Sequence, residues 1–125
     1  MMLVPVRLGV SKIHGLGIYA TTPILKGTKV WEYREPIDWR IYGCHRGGAQ
    51  ADEYIMRFAY RVPGSPFIEV PGDLACFWNH SETPNCDDGG ETWTVAARDI
   101  APDEELTIDY TTFTDGTLCG AFLKV

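Results

Sequence analysis

Turn signals recur along this chain at intervals of about eight to twelve residues, and that spacing constrains its fold more than any other feature. Glycine, proline and small polar residues mark Ser11 to Gly17, Thr22 to Gly27, Pro63 to Pro66, Pro71 to Asp73 and Pro102-Asp103. Between them lie short runs. Val4, Val6, Leu8 and Val10 alternate in phase, which predicts a strand over Leu3 to Val10, placed early or on an edge by Pro5. Ile18 to Ala20, Lys29 to Tyr33, Thr92 to Ala97 and Leu106 to Tyr110 read as further strands. Ala59 to Val62 and Phe67 to Val70 read as a hairpin. The stretch from Glu35 to about Val70 is otherwise the least regular, holding Trp39, Tyr42, Gly47-Gly48 and a short helix near Ala51 to Phe58. The tail from Thr111 to Val125 has no clear pattern. The expected fold class is mainly β with short helices, one domain of several small sheets.

Composition narrows the partners. A chain of 125 residues with 45% hydrophobic and 22% charged content folds around one core. A net charge of −6 argues against nucleic acid, since phosphate contacts need a basic surface, and suits a basic peptide or protein. No apolar run approaches the ~18 residues that a membrane helix needs. The cysteines, Cys44, Cys76, Cys86 and Cys119, form no C-x-x-C pair and match no common zinc framework. With no secretory pattern at MMLVPVRLGV, the expectation is reduced thiols and an intracellular location, cytoplasmic or nuclear according to the host.

Three stretches carry chemistry. Phe77 to Cys86, FWNHSETPNC, sets Asn79, His80, Ser81 and Asn85 beside two large rings, a composition that predicts irregular backbone held by side-chain hydrogen bonds. Gly15-Leu16-Gly17 permits close backbone approach or a plain hairpin turn, and lacks the third glycine of a dinucleotide fingerprint. Ala97 to Tyr110, ARDIAPDEELTIDY, is an acidic turn leading to a strand. A thiol–histidine protease is disfavoured because Cys86 and His80 share one short loop. A zinc site from His80, Cys86 and Cys119 lacks a fourth ligand.

Taken in order, these stretches resemble the SET-domain protein lysine methyltransferases over roughly Arg7 to Phe113. SKIHGLGIYA (Ser11 to Ala20), Ile24-Leu25-Lys26-Gly27 with Glu32-Tyr33, FWNHSETPNC and ARDIAPDEELTIDY match four family segments with compatible spacing. The resemblance implies the SET fold, a β-clip arrangement of small sheets with a C-terminal pseudoknot. It places that domain at residues 4–113, with a variable insert at about 37–70 and a short tail at 114–125. It implies methyl transfer from S-adenosyl-L-methionine to a lysine amine of a protein or peptide, histone-like or otherwise basic. The catalytic residue implied is Tyr110. Leu16, Gly17, Asn79, His80 and Phe113 would bind the cofactor, and Tyr33 and Ile108 would line the substrate channel. A module binding a basic peptide without catalysis is the alternative, against which stands the joint presence of Asn79, His80 and Tyr110.

Departures from the family pattern carry their own expectations. Cys76 stands where many members have Arg, Trp78 replaces a smaller aliphatic, and Ile108 stands where many place Phe or Tyr. Glu82 replaces a cysteine of zinc-using members, and only Cys119 follows Tyr110, so no metal is expected. The cover of the cofactor must then come from elsewhere: Phe113, Phe122, or a second copy of the chain in a homodimer. Trp39, Tyr42, Asp52 and Glu53, from the insert, are candidate contacts for a basic peptide.

Overall fold

The computed structural model describes residues 1–42, 49–61, 66–89, 92–112, 117–118 and 121–122. In chain order the elements are β1 (Val6–Val10), β2 (Leu16–Ala20), β3 (Lys29–Glu32), β4 (Trp39–Tyr42), α1 (Ala49–Phe58), β5 (Tyr60–Arg61), β6 (Phe67–Val70), β7 (Asn79–His80), β8 (Cys86–Asp88), β9 (Trp93–Ala96), β10 (Thr107–Ile108), β11 (Thr117–Leu118) and β12 (Ala121–Phe122). Two 3₁₀ turns, Leu74–Phe77 and Tyr110–Thr112, flank the functional stretches. Among the described residues the strands form five small sheets: β1-β2, β3-β9-β8, β4-β6-β5, β7-β10 and β11-β12. This is the mainly β architecture that the turn spacing predicts.

Four details differ from the sequence reading. The second strand starts at Leu16, because Leu16 and Gly17 pair with Val10 and Gly9 instead of closing a turn. Trp39–Tyr42, inside the stretch read as irregular, is a strand that pairs with Val70 to Phe67. The last motif is strand only at Thr107–Ile108, and Tyr110 lies on a 3₁₀ turn. Asn79–His80, within the loop-like stretch, is a short strand because it pairs in parallel with Thr107–Ile108. Tertiary pairing overrides the local polarity there.

The main core gathers Ile18, Ile24, Val30, Trp31, Trp78, Ile100, Leu106 and Ile108 from the two sides of the insert. Ile18 and Leu106 are fully buried, and the Leu106 N–H donates to the Ile18 carbonyl at 2.8 Å, tying the last motif to β2. A second cluster of Ala59, Ile68 and Val70, with Ile41 and Ile55 against it, belongs to the insert. Its sheet holds a buried carboxylate, Glu69, which needs partners to be tolerated away from water. Arg40 Nε donates to it at 2.9 Å and the Tyr60 hydroxyl at 2.7 Å, while the Arg40 guanidinium stacks over the rings of Tyr33 and Phe67. Where the insert rejoins the main core, Gly72 passes so close that a Cβ there would lie 1.6 Å from the Ile37 carbonyl oxygen. Its N–H donates to the buried Asp38 at 3.1 Å.

Candidate functional site

The parallel β7-β10 pair brings the first and third chemical stretches side by side. Thr107 lies opposite Asn79 and Ile108 opposite His80, and the Ser81 N–H donates to the Ile108 carbonyl at 3.1 Å. Two residues beyond Ile108 the chain turns, and Tyr110 comes back over the first stretch. Its N–H donates to His80 Nδ1 at 3.0 Å, its hydroxyl donates to the Trp78 carbonyl, and its ring stands 5.2 Å from that of His80. Because Nδ1 accepts, the neutral His80 ring carries its proton on Nε2. Burial pushes the Tyr110 phenol up to about 12, so the hydroxyl is neutral, and a donor, across the neutral range. Asp109 beside it is held below its ordinary value by hydrogen bonds from the Thr111 hydroxyl and N–H.

Asn79 joins all three stretches. Its Nδ2 donates to the His14 carbonyl at 3.1 Å, the Leu16 carbonyl at 3.0 Å and Glu105 Oε2 at 3.0 Å. The Ser11 hydroxyl contacts both oxygens of the same carboxylate, at 2.9 and 2.8 Å. Gly17 faces this group: a Cβ on it would lie 2.3 Å from Glu105 Oε2 and 3.1 Å from Asn79 Nδ2. The absent side chain at Gly17 thus makes room for Glu105.

Asn85 performs a similar office deeper in the protein. It is 2% exposed, accepts from the Thr107 N–H at 2.8 Å, and donates through Nδ2 to the Glu105 carbonyl at 2.7 Å and to Glu104 at 3.0 Å. Every hydrogen-bonding group of a buried amide must find a partner, and here those partners are the backbone of the third stretch and the Glu104 carboxylate. Sequence reasoning missed Ser11, Asn85 and Glu105 as members of the site. Their signal was present, since all three are polar residues inside the matched segments, but only contact over long sequence separation shows their task.

A cavity of about 140 Å³ opens over these residues, lined by His14, Gly15, Leu16, Arg57, Phe58, Cys76, Phe77, Trp78, Asn79 and Tyr110. Of the residues expected to act, it brings together Leu16, Asn79 and Tyr110, with His80 behind Tyr110. Tyr33 and Ile108 are not in its wall: Ile108 is 5% exposed in the core, and Tyr33 lies under Arg40 with its hydroxyl donating to Glu35 at 2.9 Å. Phe113 is outside the described residues, as are the side chains of Tyr42, Asp52 and Phe122. Trp39 and Glu53 are exposed.

The wall offers aromatic surface and a few aimed polar groups, as ligand sites do. Asn79 spends its N–H groups on the protein, and its Oδ1 receives nothing from the described residues. The buried side-chain polar atoms without a partner among those residues are the indole N–H groups of Trp31 and Trp78. Asn79 Oδ1 is therefore an accessible acceptor on a cavity-lining residue, suited to an ammonium group.

A family model for the SET domain matches residues 15–111. The chain belongs to the SET-domain family. This SET-domain chain is 33% identical over 121 residues to a histone-lysine N-methyltransferase of Yarrowia lipolytica described as H3 lysine-4 specific, a match over 85% of this chain and 10% of that protein. It is 36% identical over 120 residues to a histone-lysine N-methyltransferase of Arabidopsis thaliana, over 84% of this chain and 11% of that one. The chain thus spans about a tenth of the length of the curated relatives it matches. In fold it matches the Chaetomium thermophilum Polycomb Repressive Complex 2 in a form bound to S-adenosylmethionine, with a TM-score of 0.65, 23% identity, and coverage of 88% of this chain and 16% of that one. A crystal structure from Plasmodium falciparum gives a TM-score of 0.61 at 19% identity over 87% of this chain and 95% of its own.

The SET-domain cavity fits one end of S-adenosylmethionine. Its volume is below the ~300–1,000 Å³ of pockets that enclose a whole ligand. The acceptor Asn79 Oδ1 matches the ammonium of an amino-acid head, and the rings of Phe77, Trp78 and Tyr110 match apolar surface next to it.

Proposed function

We propose that this chain is an S-adenosyl-L-methionine-dependent protein-lysine N-methyltransferase. The observation that carries the reading is the convergence of Asn79 and Tyr110, 31 positions apart in the sequence, on one cavity. The names of the relatives give it direction. When bound, the cofactor supplies a sulfonium-activated methyl group, and the chain's own residues must position it and the amine that takes it.

The geometry supports a role for Asn79 and for Tyr110. Asn79 Oδ1 faces the ammonium of the cofactor, and the main chain of Leu16 and Gly17 runs beside it. Tyr110, fixed at its N–H by His80 and at its hydroxyl by the Trp78 carbonyl, presents a neutral phenol next to the reacting centre. Such a phenol orients; it does not abstract the proton. A lysine amine, ordinarily near ~10.4, loses its proton more readily when desolvated, and Phe58, Phe77 and Trp78 supply apolar surface for that. In-line attack then depends chiefly on alignment. Tyr33 and Ile108 remain assigned to the lysine channel, and Phe113 to the cofactor, on the family resemblance alone.

The substrate class is a lysine of a basic protein, for which histone H3 is the first candidate, since relatives are named for it. The net charge of −6 favours such a partner. The catalytic unit is residues 4–113, working inside the cell, with a second copy of the chain as a candidate cover for the cofactor. The test incubates purified protein with methyl-labelled cofactor and, separately, core histones or a cell lysate. Label recovered as methyl-lysine is expected. Cofactor binding with no labelled lysine in any protein fraction would instead favour a binding module.

A further inference from the structure

We propose that Arg57, from the last turn of α1, receives the carboxylate at the amino-acid end of the cofactor, beside the ammonium at Asn79. The inference rests on the cofactor reading above and adds the residue that reads the head group's negative charge. An amino-acid head is a zwitterion, so a site that selects it needs an acceptor and a cation within a few ångströms of each other. Asn79 supplies the first. Among the described residues in the cavity wall, Arg57 is the one with a permanent positive charge, and Cys76, also in the wall, supplies none.

Helix packing holds Arg57 there. Phe58, its neighbour, stands edge-on to Phe77 at 5.5 Å, and Tyr54 packs on Phe58 at 4.9 Å, so the end of α1 is seated on the turn that precedes Asn79. The guanidinium contacts Glu53 at 3.3 Å, one helical turn back, where that carboxylate is 71% exposed. Exposed pairs of this spacing bind weakly and are screened by salt, so a carboxylate inside the cavity competes well for the same guanidinium. A cation is also what the position demands, because the carbonyl end of a helix repels an anion unless a positive side chain stands between.

Isothermal calorimetry on the purified chain tests this with two probes, S-adenosylmethionine and its decarboxylated form, which keeps the adenosine, sulfonium and ammonium. Arg57→Ala is expected to weaken S-adenosylmethionine by about tenfold or more and to leave the decarboxylated probe within about twofold. Arg57→Lys should lie between wild type and alanine for the first probe only. Unchanged thermal unfolding of the alanine variant will show that the helix is intact. Equal weakening of both probes, or of neither, overturns the assignment while leaving the cofactor reading in place. So does a wild-type protein that binds both probes equally. A wild-type protein that binds neither overturns both readings.

Discussion

Asn79 and Glu105 stand 26 residues apart in sequence and share one 3.0 Å hydrogen bond, which joins the His14 and Leu16 carbonyls in holding the N–H end of the Asn79 amide against the protein. The carboxylate takes the N–H end, and the carbonyl end is left for a ligand. Glu105 is absent from the cavity wall, so it acts through Asn79 as a positioning residue.

Glu105→Ala leaves the Ser11 hydroxyl without its acceptor and removes one of the three acceptors around the Asn79 amide. A loss of about 1–3 kcal/mol in urea unfolding is expected, together with about tenfold weaker cofactor binding by calorimetry. In a double-mutant cycle with Asn79→Ala, the two losses in binding should not add. Additive losses would show that the two side chains act separately.

Gly17→Ala pushes a methyl group into the same carboxylate, which Ser11 and Asn79 keep from moving aside. The expected cost is about 1–3 kcal/mol. In the Glu105→Ala background that cost should shrink to a few tenths, because the obstructing oxygen is gone. An undiminished cost would place the need for glycine in the backbone or in the cofactor.

Tyr110→Phe removes the hydroxyl and keeps the ring, whose backbone remains tied to His80. Turnover on a labelled lysine peptide should fall by about 100-fold, the scale of a misaligned reactant, with cofactor affinity within about twofold. Normal turnover would remove the phenol from the reaction.

Alkaline unfolding isolates the same group. The native phenol is held at about 12 against an ordinary 10.0, so the unfolded chain loses that proton first. The native state then binds more protons between those values, and its stability falls as pH rises through the window, being whole below 10. Tyr33, Tyr54, Tyr60 and Cys86 are raised as well, so the absolute loss is shared. The difference between wild type and Tyr110→Phe is not shared, and should narrow by roughly 2–3 kcal/mol at most across the window in urea melts.

Cys86 is fully buried in the core, where burial pushes its thiol up to about 12. It should resist iodoacetamide at neutral pH until the protein is unfolded, as read by peptide mass spectrometry. Rapid native labelling would contradict its place in the core.

Much of the fold was legible because its signals are local. Alternation in Val6 to Val10 and turn residues at Pro71 to Asp73 act over a few positions, and the hairpin of Tyr60–Arg61 with Phe67–Val70 follows from them. Trp39–Tyr42 was not legible, since its strand character depends on Phe67–Val70, which lies beyond an intervening helix. Tyr110, Asn79 and Leu16 were found through ordered motifs, whereas Glu105 looked like one acid in an acidic turn. Its function depends on Gly17 and Ser11, about ninety residues earlier, and no window of sequence contains that relation. The same limit applies to Gly72, whose need for a bare backbone is set by the Ile37 carbonyl.

The two-residue parallel ladder between Asn79–His80 and Thr107–Ile108 has a consequence for the order of events during synthesis. A chain that has left the ribosome as far as Asn85 already carries most of the main core's strands, yet its Asn79 amide has neither the Glu105 carboxylate nor the Tyr110 phenol near it. Loop closure over that separation comes late and draws on contacts that exist only in the finished domain. On the cofactor reading proposed above, a nascent molecule of that length is expected to hold S-adenosylmethionine less tightly than the finished domain does.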